Sequence, residues 1–173
     1  IKGPLSIAGP HGEVYYQSFI DNSTKWIYAY FMEFRSEALK NAKHLVEEKL
    51  PAEYGQPHVC MREYMSDGAP ELISRDIVEL MNKRGTRVCW SPPYTPELNA
   101  IVERSHQTIF NMGHSMLLGA VVPMKYWTYA ILYAVYIYNR FPTTTEDGHM
   151  APYEAKYGVS PDVGDIKTWG CVC

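Results

Sequence analysis

The sequence SPPYTPELNAIVER occupies residues 91–104 and divides the chain into two parts of different character. Three prolines lie within its first six positions, which excludes a helix or a central strand there. From about Glu97 the apolar residues recur at helical spacing, and this predicts a helix to about residue 118. The part before this stretch is typical of strands and short helices, whereas the part after it is typical of helices.

Upstream, two strand-like runs cover residues 14–20 and 26–32. The turn-forming residues Asp21, Asn22 and Ser23 lie between them, which predicts a hairpin. The remaining runs predict a helix over residues 36–50 that Pro51 closes, a strand over 58–65, a helix over 71–84 and a strand over 87–90. This order of strands and helices predicts a mixed α/β sheet.

Downstream, a second helix is predicted over residues 123–140. No charged residue lies between Lys125 and Arg140, but this run is shorter than the roughly 20 apolar residues that cross a membrane. We therefore predict a buried or self-associating helix and no membrane association. The tail from about residue 141 is rich in glycine and proline and is expected to be loop-rich.

Composition points to one ordinary globular domain over residues 1–173. Apolar residues at 46% and charged residues at 20% exclude a disordered or collagen-like chain. The net charge of −3 argues against a domain that holds nucleic acid by bulk charge, although a local basic strip is compatible with it. The four cysteines lack zinc-site spacing and predict reduced thiols.

Two carboxylates are candidates for chemistry. Asp67 follows a predicted strand, and Glu103 lies in the first turns of the long helix, with thirty-five residues between the two. Carboxylate oxygens suit magnesium, and two such ions can activate a hydroxyl and stabilise the leaving oxygen of a phosphodiester. From spacing alone, a turn residue with a solvated helix residue, or a glycosidase-type acid pair, is equally compatible.

Residues 91–104 resemble the segment leading to the catalytic glutamate in integrases of copia-type LTR retrotransposons. The resemblance extends to IKGPL at 1–5, FIDNSTKWIYAYF at 19–31, MSDGAPEL at 65–72, PMKYWTYAILYAVYIYNRFPT at 123–143 and APYEAKYGVSPDVGDIKTWGC at 151–171. The spacing between Asp67 and Glu103 is also the one that such integrases use between their second and third acids.

The resemblance implies a ribonuclease H-like fold, with a five-stranded mixed sheet flanked by helices. It implies three acids that hold two magnesium or manganese ions, process the ends of the element's DNA and join them to target DNA. Asp67 matches the second acid and Glu103 the third. The family also implies a homodimer or higher oligomer and a nuclear location.

The first acid of the family belongs to an Asp-x-x-Gly-Pro pattern, and here Gly3-Pro4 follows Ile1-Lys2. That aspartate would fall immediately before Ile1, so the first strand is expected to be truncated and the fragment inactive alone. Asp21 matches a turn position, which is why we assign it to the turn and not to the metal.

The stretch around Glu103 also carries the candidate DNA contacts, which are Tyr94, Asn99, His106 and Gln107. A loop anchor at Tyr94 and an ordinary helix-start residue at Asn99 are the structural alternatives.

Two departures from the family remain. Gly68-Ala69 follows Asp67 where Asn-Gly is usual, and the positions after Arg104 lack further cations. They leave open a drifted but active lineage or an inactive remnant that only binds DNA or dimerises.

Overall fold

The structure is a computed structural model that describes residues 1–56, 59, 61–66, 69–90 and 96–171, with the backbone alone for residues 90 and 96–99. The chain forms two compact units, one made of Ile1–Glu33 with Val102–Cys173 and the other of Phe34–Ile101. The single domain over 1–173 stays a prediction.

Six strands and six α-helices are described. The strands are β1 (Tyr15–Ile20), β2 (Ile27–Met32), β3 (Glu63–Ser66), β4 (Arg87–Trp90), β5 (Thr143–Thr145) and β6 (Gly148–Met150). The helices are α1 (Ala38–Lys43), α2 (Leu50–Tyr54), α3 (Arg75–Lys83), α4 (Pro96–Gly119), α5 (Trp127–Tyr138) and α6 (Pro152–Tyr157). This α/β content and the long helix after residue 95 agree with the sequence.

The predicted hairpin opens the first unit. β1 and β2 pair antiparallel, from Tyr15 opposite Met32 to Ile20 opposite Ile27. In the turn, the Asp21 carboxylate accepts hydrogen bonds from the Ser23 N–H at 3.3 Å and from the Thr24 hydroxyl at 2.6 Å. Asp21 is therefore a turn residue, as the sequence predicts.

The core of the first unit lies where the hairpin packs against α4 and α5. It consists of Tyr16, Ile27, Ile109, Leu117, Trp127, Ala130, Ile131, Ala134 and Val135. One side of α5 is buried in this core, while Tyr129, Leu132 and Tyr136 are exposed on the other. In the part of the chain that the structure describes, no helix is long and apolar enough to cross a membrane.

The tail is more ordered than expected. β5 and β6 form a second antiparallel hairpin, and α6 follows it. The Lys156 ammonium on α6 lies 4.3 Å from the ring centre of Trp26 and 4.6 Å from that of Tyr28. Contacts with the first hairpin therefore order residues that local composition assigns to a loop.

The second unit corrects the end of the first predicted helix. α1 continues through a π-helical stretch, His44–Lys49, into α2, so the helix runs past Pro51 and ends at Tyr54, with Gly55 as its C-cap. A proline ring clashes with the carbonyl four residues earlier in a regular helix. The wider π-helical turns just before Pro51 relax that spacing, so the helix continues through it.

The other predicted elements of the second unit shift at their starts. β4 matches the predicted strand, but β3 begins at Glu63, and residues 58 and 60 of the predicted strand lie outside the described residues. α3 begins at Arg75 because Ser74, with ψ of 150°, separates it from the turn at residues 69–73. β3 and β4 pair parallel. The described strands form three two-stranded sheets, so the five-stranded sheet is not observed among them.

Candidate active site

Glu103 lies on the part of α4 that belongs to the first unit, and its side chain is exposed. Gln107 is one turn further along α4 and is exposed as well. Residues three and four apart on a helix are neighbours on its surface, so Glu103, His106 and Gln107 share one stripe. The candidate residues Glu103, His106 and Gln107 therefore lie next to one another on α4.

His106 is the half-buried member of that stripe. Its Nε2 lies 2.7 Å from the Ser18 Oγ on β1, and the two share a hydrogen bond whose donor depends on the histidine tautomer. The edge of its ring also packs against Tyr16, with ring centres 5.2 Å apart and planes at 72°. The candidate DNA contact His106 is therefore engaged with the hairpin.

The first residues of the chain lie alongside β1. Lys2 and Tyr16 exchange backbone hydrogen bonds of 2.8 and 2.9 Å as an antiparallel bridge. The Lys2 ammonium lies 4.2 Å from the centre of the Phe110 ring on α4, and Tyr16 meets the same ring edge-on. Both side chains therefore point at α4.

Side chains two residues apart on a strand lie on the same face, so the next residues along each strand on this face would also point at α4. Ser18 is two residues from Tyr16 and contacts α4 at His106, as strand geometry requires. If the register of the bridge continued, the position before Ile1 would be opposite Ser18, and opposed residues of an antiparallel pair share one face. A side chain at that position would face α4 at the level of His106, one turn from Glu103.

Burial sets the electrostatics beneath His106. Tyr16 is fully buried, and this burial raises the pKa of its hydroxyl well above the usual value. The buried ring offers His106 an apolar wall.

The remaining predicted site residues stand as follows. Asp67 and Tyr94 lie outside the described residues, and Asn99 lies on α4 with its backbone alone described. Among the described residues, no group of three or more histidine, cysteine, aspartate or glutamate side chains could hold a metal ion.

Sequence reasoning missed Ser18. It lies in the middle of a strand, and its only signal is the alternation that puts it on the same face as Tyr16.

The amino-acid sequence of the chain is similar to segments of transposon polyproteins. The chain is 31% and 32% identical, over 162 residues each, to the Retrovirus-related Pol polyproteins from transposons RE1 and RE2 of Arabidopsis thaliana. These matches cover 92% of this chain but 10% of each polyprotein, so the chain spans about a tenth of their length. No family profile matches the chain.

Solved structures share the fold. One is the simian T-cell lymphotropic virus intasome in complex with PP2A regulatory subunit B56 gamma, with a TM-score of 0.63 at 18% identity over 88% of this chain and 50% of that one. Another is the HTLV-2 integrase catalytic core domain in complex with magnesium, in a trimeric form, with a TM-score of 0.57 at 14% identity over 80% of this chain and 81% of that one. The chain is thus a homologue of one segment of the retrovirus-related Pol polyproteins of transposons, and its fold is the ribonuclease H-like α/β fold of integrase catalytic cores.

Proposed function

We propose that the chain is the catalytic core of a copia-type retrotransposon integrase, a metal-dependent polynucleotidyl transferase acting on DNA. The observation that carries the proposal is the register of Lys2 with Tyr16. If this register continued, the position before Ile1 would lie on the same face of the strand pair as Ser18. Ser18 contacts α4 at His106, one helical turn from Glu103. The resemblance puts the first acid of the family at that position. The five-stranded mixed sheet belongs to this proposal as well.

Magnesium or manganese would suit the carboxylate ligands of this proposal. Lys2, Tyr16 and Ser18 all contact α4 with their side chains, so an aspartate before Ile1 would direct its carboxylate to the same helix. That aspartate, Asp67 and Glu103 are the proposed ligands of two ions, and Asp67 enters through its sequence motif alone. Bound ions of this kind activate the attacking hydroxyl and stabilise the leaving oxygen.

The reaction is phosphoryl transfer without a covalent enzyme intermediate. In end processing, the oxygen of a water bonds to phosphorus while one P–O bond of the DNA strand breaks. In strand transfer, the oxygen of a DNA hydroxyl takes that part, and its proton is released as the leaving oxygen takes one up. The carboxylates Asp67 and Glu103 would hold and orient the cations at this centre.

DNA is the proposed partner, both as element ends and as target. The exposed Gln107, with Asn99 and Tyr94 further up the chain, would contact it. A tyrosine face stacks on any base, which suits an enzyme that handles many target sequences. Assembly as a homodimer or higher oligomer in the nucleus is part of the same proposal.

The test is strand transfer by the chain with and without an aspartate added before Ile1. We expect joining of a short DNA end to a plasmid with the added aspartate, and loss of it when Glu103→Gln is introduced. Robust joining by the chain without the aspartate would show that the first acid is elsewhere.

An inactive remnant is the second candidate, and two sequence observations favour it. Gly68-Ala69 stand where the family usually has Asn-Gly, and Ser105, His106 and Gln107 add no cation after Arg104. Fewer cations mean fewer phosphate contacts and a weaker salt-dependent affinity. DNA binding or dimerisation without any joining by the aspartate-extended chain would favour the remnant.

A further inference from the structure

We propose that Ser18 and His106 are a positioning pair that sets the place of the Glu103 carboxylate relative to the opening strand. This inference rests on the proposed function, because it concerns the metal site of that same centre. It assigns His106 a contact with the protein's own hairpin in place of the contact with DNA that the sequence suggests.

The bond itself is short and partly shielded from water. Ser18 Oγ and His106 Nε2 are 2.7 Å apart and part-buried, although 88 residues separate them in the sequence. A hydrogen bond in such surroundings is stronger than one in bulk water, and it fixes both groups in direction. It joins the middle of β1 to α4 at a position one helical turn after Glu103.

The imidazole is held from a second side as well. Its ring meets the edge of Tyr16, which meets the ring of Phe110 one turn further along α4, with ring centres 5.4 Å apart. Tyr16 is fully buried and paired with Lys2, so it cannot shift without opening the core. His106 therefore packs on a fully buried residue of the hairpin.

Helix geometry carries this constraint to Glu103. Three residues along an α-helix correspond to a rise of about 4.5 Å and a rotation of about 60°, so His106 and Glu103 are neighbours. Fixing the rotation and height of His106 against β1 fixes those of Glu103 too. The position before Ile1 faces Ser18 on that strand, so the same bond sets the spacing between the proposed first and third acids.

The experiment measures Mn²⁺ binding to the chain from the EPR signal of free Mn²⁺, together with the Tm without metal. The variants are Ser18→Ala, His106→Phe, the double variant and His106→Gln. Phenylalanine keeps the ring edge on Tyr16 and removes the nitrogen, whereas glutamine carries a polar group that can reach the Ser18 hydroxyl. Thr108→Ala, at an exposed position of α4, is the matched control.

We expect Ser18→Ala and His106→Phe each to weaken the Kd for Mn²⁺ by roughly 10-fold or more, the usual cost of losing an outer partner of a metal ligand. The double variant should bind no more weakly than either single one, because both remove the same bond. His106→Gln should bind close to the unsubstituted chain, and so should Thr108→Ala.

Two results would overturn the inference. If Ser18→Ala and His106→Phe lower the Tm but leave the Kd for Mn²⁺ unchanged, the pair only packs the core. If His106→Phe weakens DNA binding while Ser18→Ala changes neither DNA nor Mn²⁺ binding, His106 is a DNA contact.

Failure of the proposed function has a different signature. Glu103→Gln must remove Mn²⁺ binding from the otherwise unsubstituted chain. If it does not, the metal site of the proposed function is wrong, and the positioning pair fails with it.

Discussion

Glu103 is an exposed residue on α4, so its carboxylate can be replaced without disturbing a packed core. The Asp21 carboxylate, by contrast, accepts hydrogen bonds from the Ser23 N–H and the Thr24 hydroxyl in the hairpin turn. The two acids therefore differ in their surroundings, because the carboxylate oxygens of Asp21 already accept hydrogen bonds within the turn. A metal titration of variants at the two positions is therefore the measurement that distinguishes them.

We expect Glu103→Gln and Asp67→Asn each to abolish the stabilisation of the chain by millimolar Mg²⁺ or Mn²⁺. A ligand that binds only the folded state stabilises it by mass action, which is about 0.4 kcal/mol when the metal concentration equals Kd. For a chain of this size that raises the Tm by roughly 1–2 °C. Thermal melts with and without metal measure the shift.

Asp21→Asn is the control for this prediction. Its amide oxygen can still accept the turn hydrogen bonds, so the metal response should persist. The ligand assignment would be contradicted if Asp21→Asn removed the response while Asp67→Asn left it intact.

Between elements, side chains make connections that the backbone does not. Asn139, directly after α5, is buried, and its amide both accepts from the Ile27 N–H and donates to the Ile27 carbonyl at 3.0 Å. The backbone carbonyl of Asn139 accepts a hydrogen bond from the backbone N–H of Tyr153 in α6 at 2.7 Å. One residue therefore ties the end of a helix to the first position of β2 and to the tail.

Asn139→Ala should lower the free energy of unfolding by about 2–4 kcal/mol, because it leaves the N–H and the carbonyl of Ile27 buried without that partner. Urea denaturation measures the change. Asn111→Ala, at an exposed position of α4, should change the free energy of unfolding by less than about 0.5 kcal/mol. Equal effects of the two substitutions would show that the Ile27 bonds contribute nothing.

Lys156 connects α6 to the first hairpin through cation–π contacts. Besides Trp26 and Tyr28, the ring of Tyr157 lies 5.0 Å from its ammonium. Lys156→Met should therefore cost about 1–2 kcal/mol, since it keeps the apolar stem and removes the charge. Limited proteolysis of the tail and urea denaturation are the measurements.

Lys156→Arg keeps a cation that can lie on the same rings and should retain most of the stability. Lys167→Met removes an exposed lysine and is the matched control. If Lys156→Met is no more sensitive to protease than Lys167→Met, the rings do not hold α6.

For the whole molecule, the buried Tyr16 predicts how stability depends on pH. Burial raises the pKa of its hydroxyl, so the folded state keeps the proton where the unfolded chain has lost it. The stabilising contribution is fully present below about pH 10, the usual tyrosine pKa, and is lost as the pH rises above it. The free energy of unfolding should fall there by about 1.4 kcal/mol per pH unit from this group.

Tyr16→Phe should reduce that alkaline loss, because phenylalanine carries no proton to release. Urea denaturation at several pH values between 8 and 11.5 compares the two proteins. Tyr129→Phe, at a side chain that is 48% exposed, is the control. An alkaline loss unchanged by Tyr16→Phe would show that other groups control it.

Local sequence patterns were sufficient to predict most of the helices and strands and to indicate the relatives of the chain. The hairpin, β4 and α4 lie within a residue or two of their predicted bounds, because turn residues and apolar periodicity act over a few positions. The motif around Glu103 likewise identified the relatives that the comparisons found. The resemblance also predicts Asp67 and Glu103 as the second and third acids, and this assignment stays a prediction.

Tertiary contacts decided what local patterns do not contain. The Ser18–His106, Ile27–Asn139 and Tyr28–Lys156 contacts join residues that are 88, 112 and 128 positions apart. A serine in a strand has no local feature that selects one distant histidine. Such a partner is set by how the hairpin, α4, α5 and the tail pack into one core, and that packing also gave the tail the order its composition does not predict.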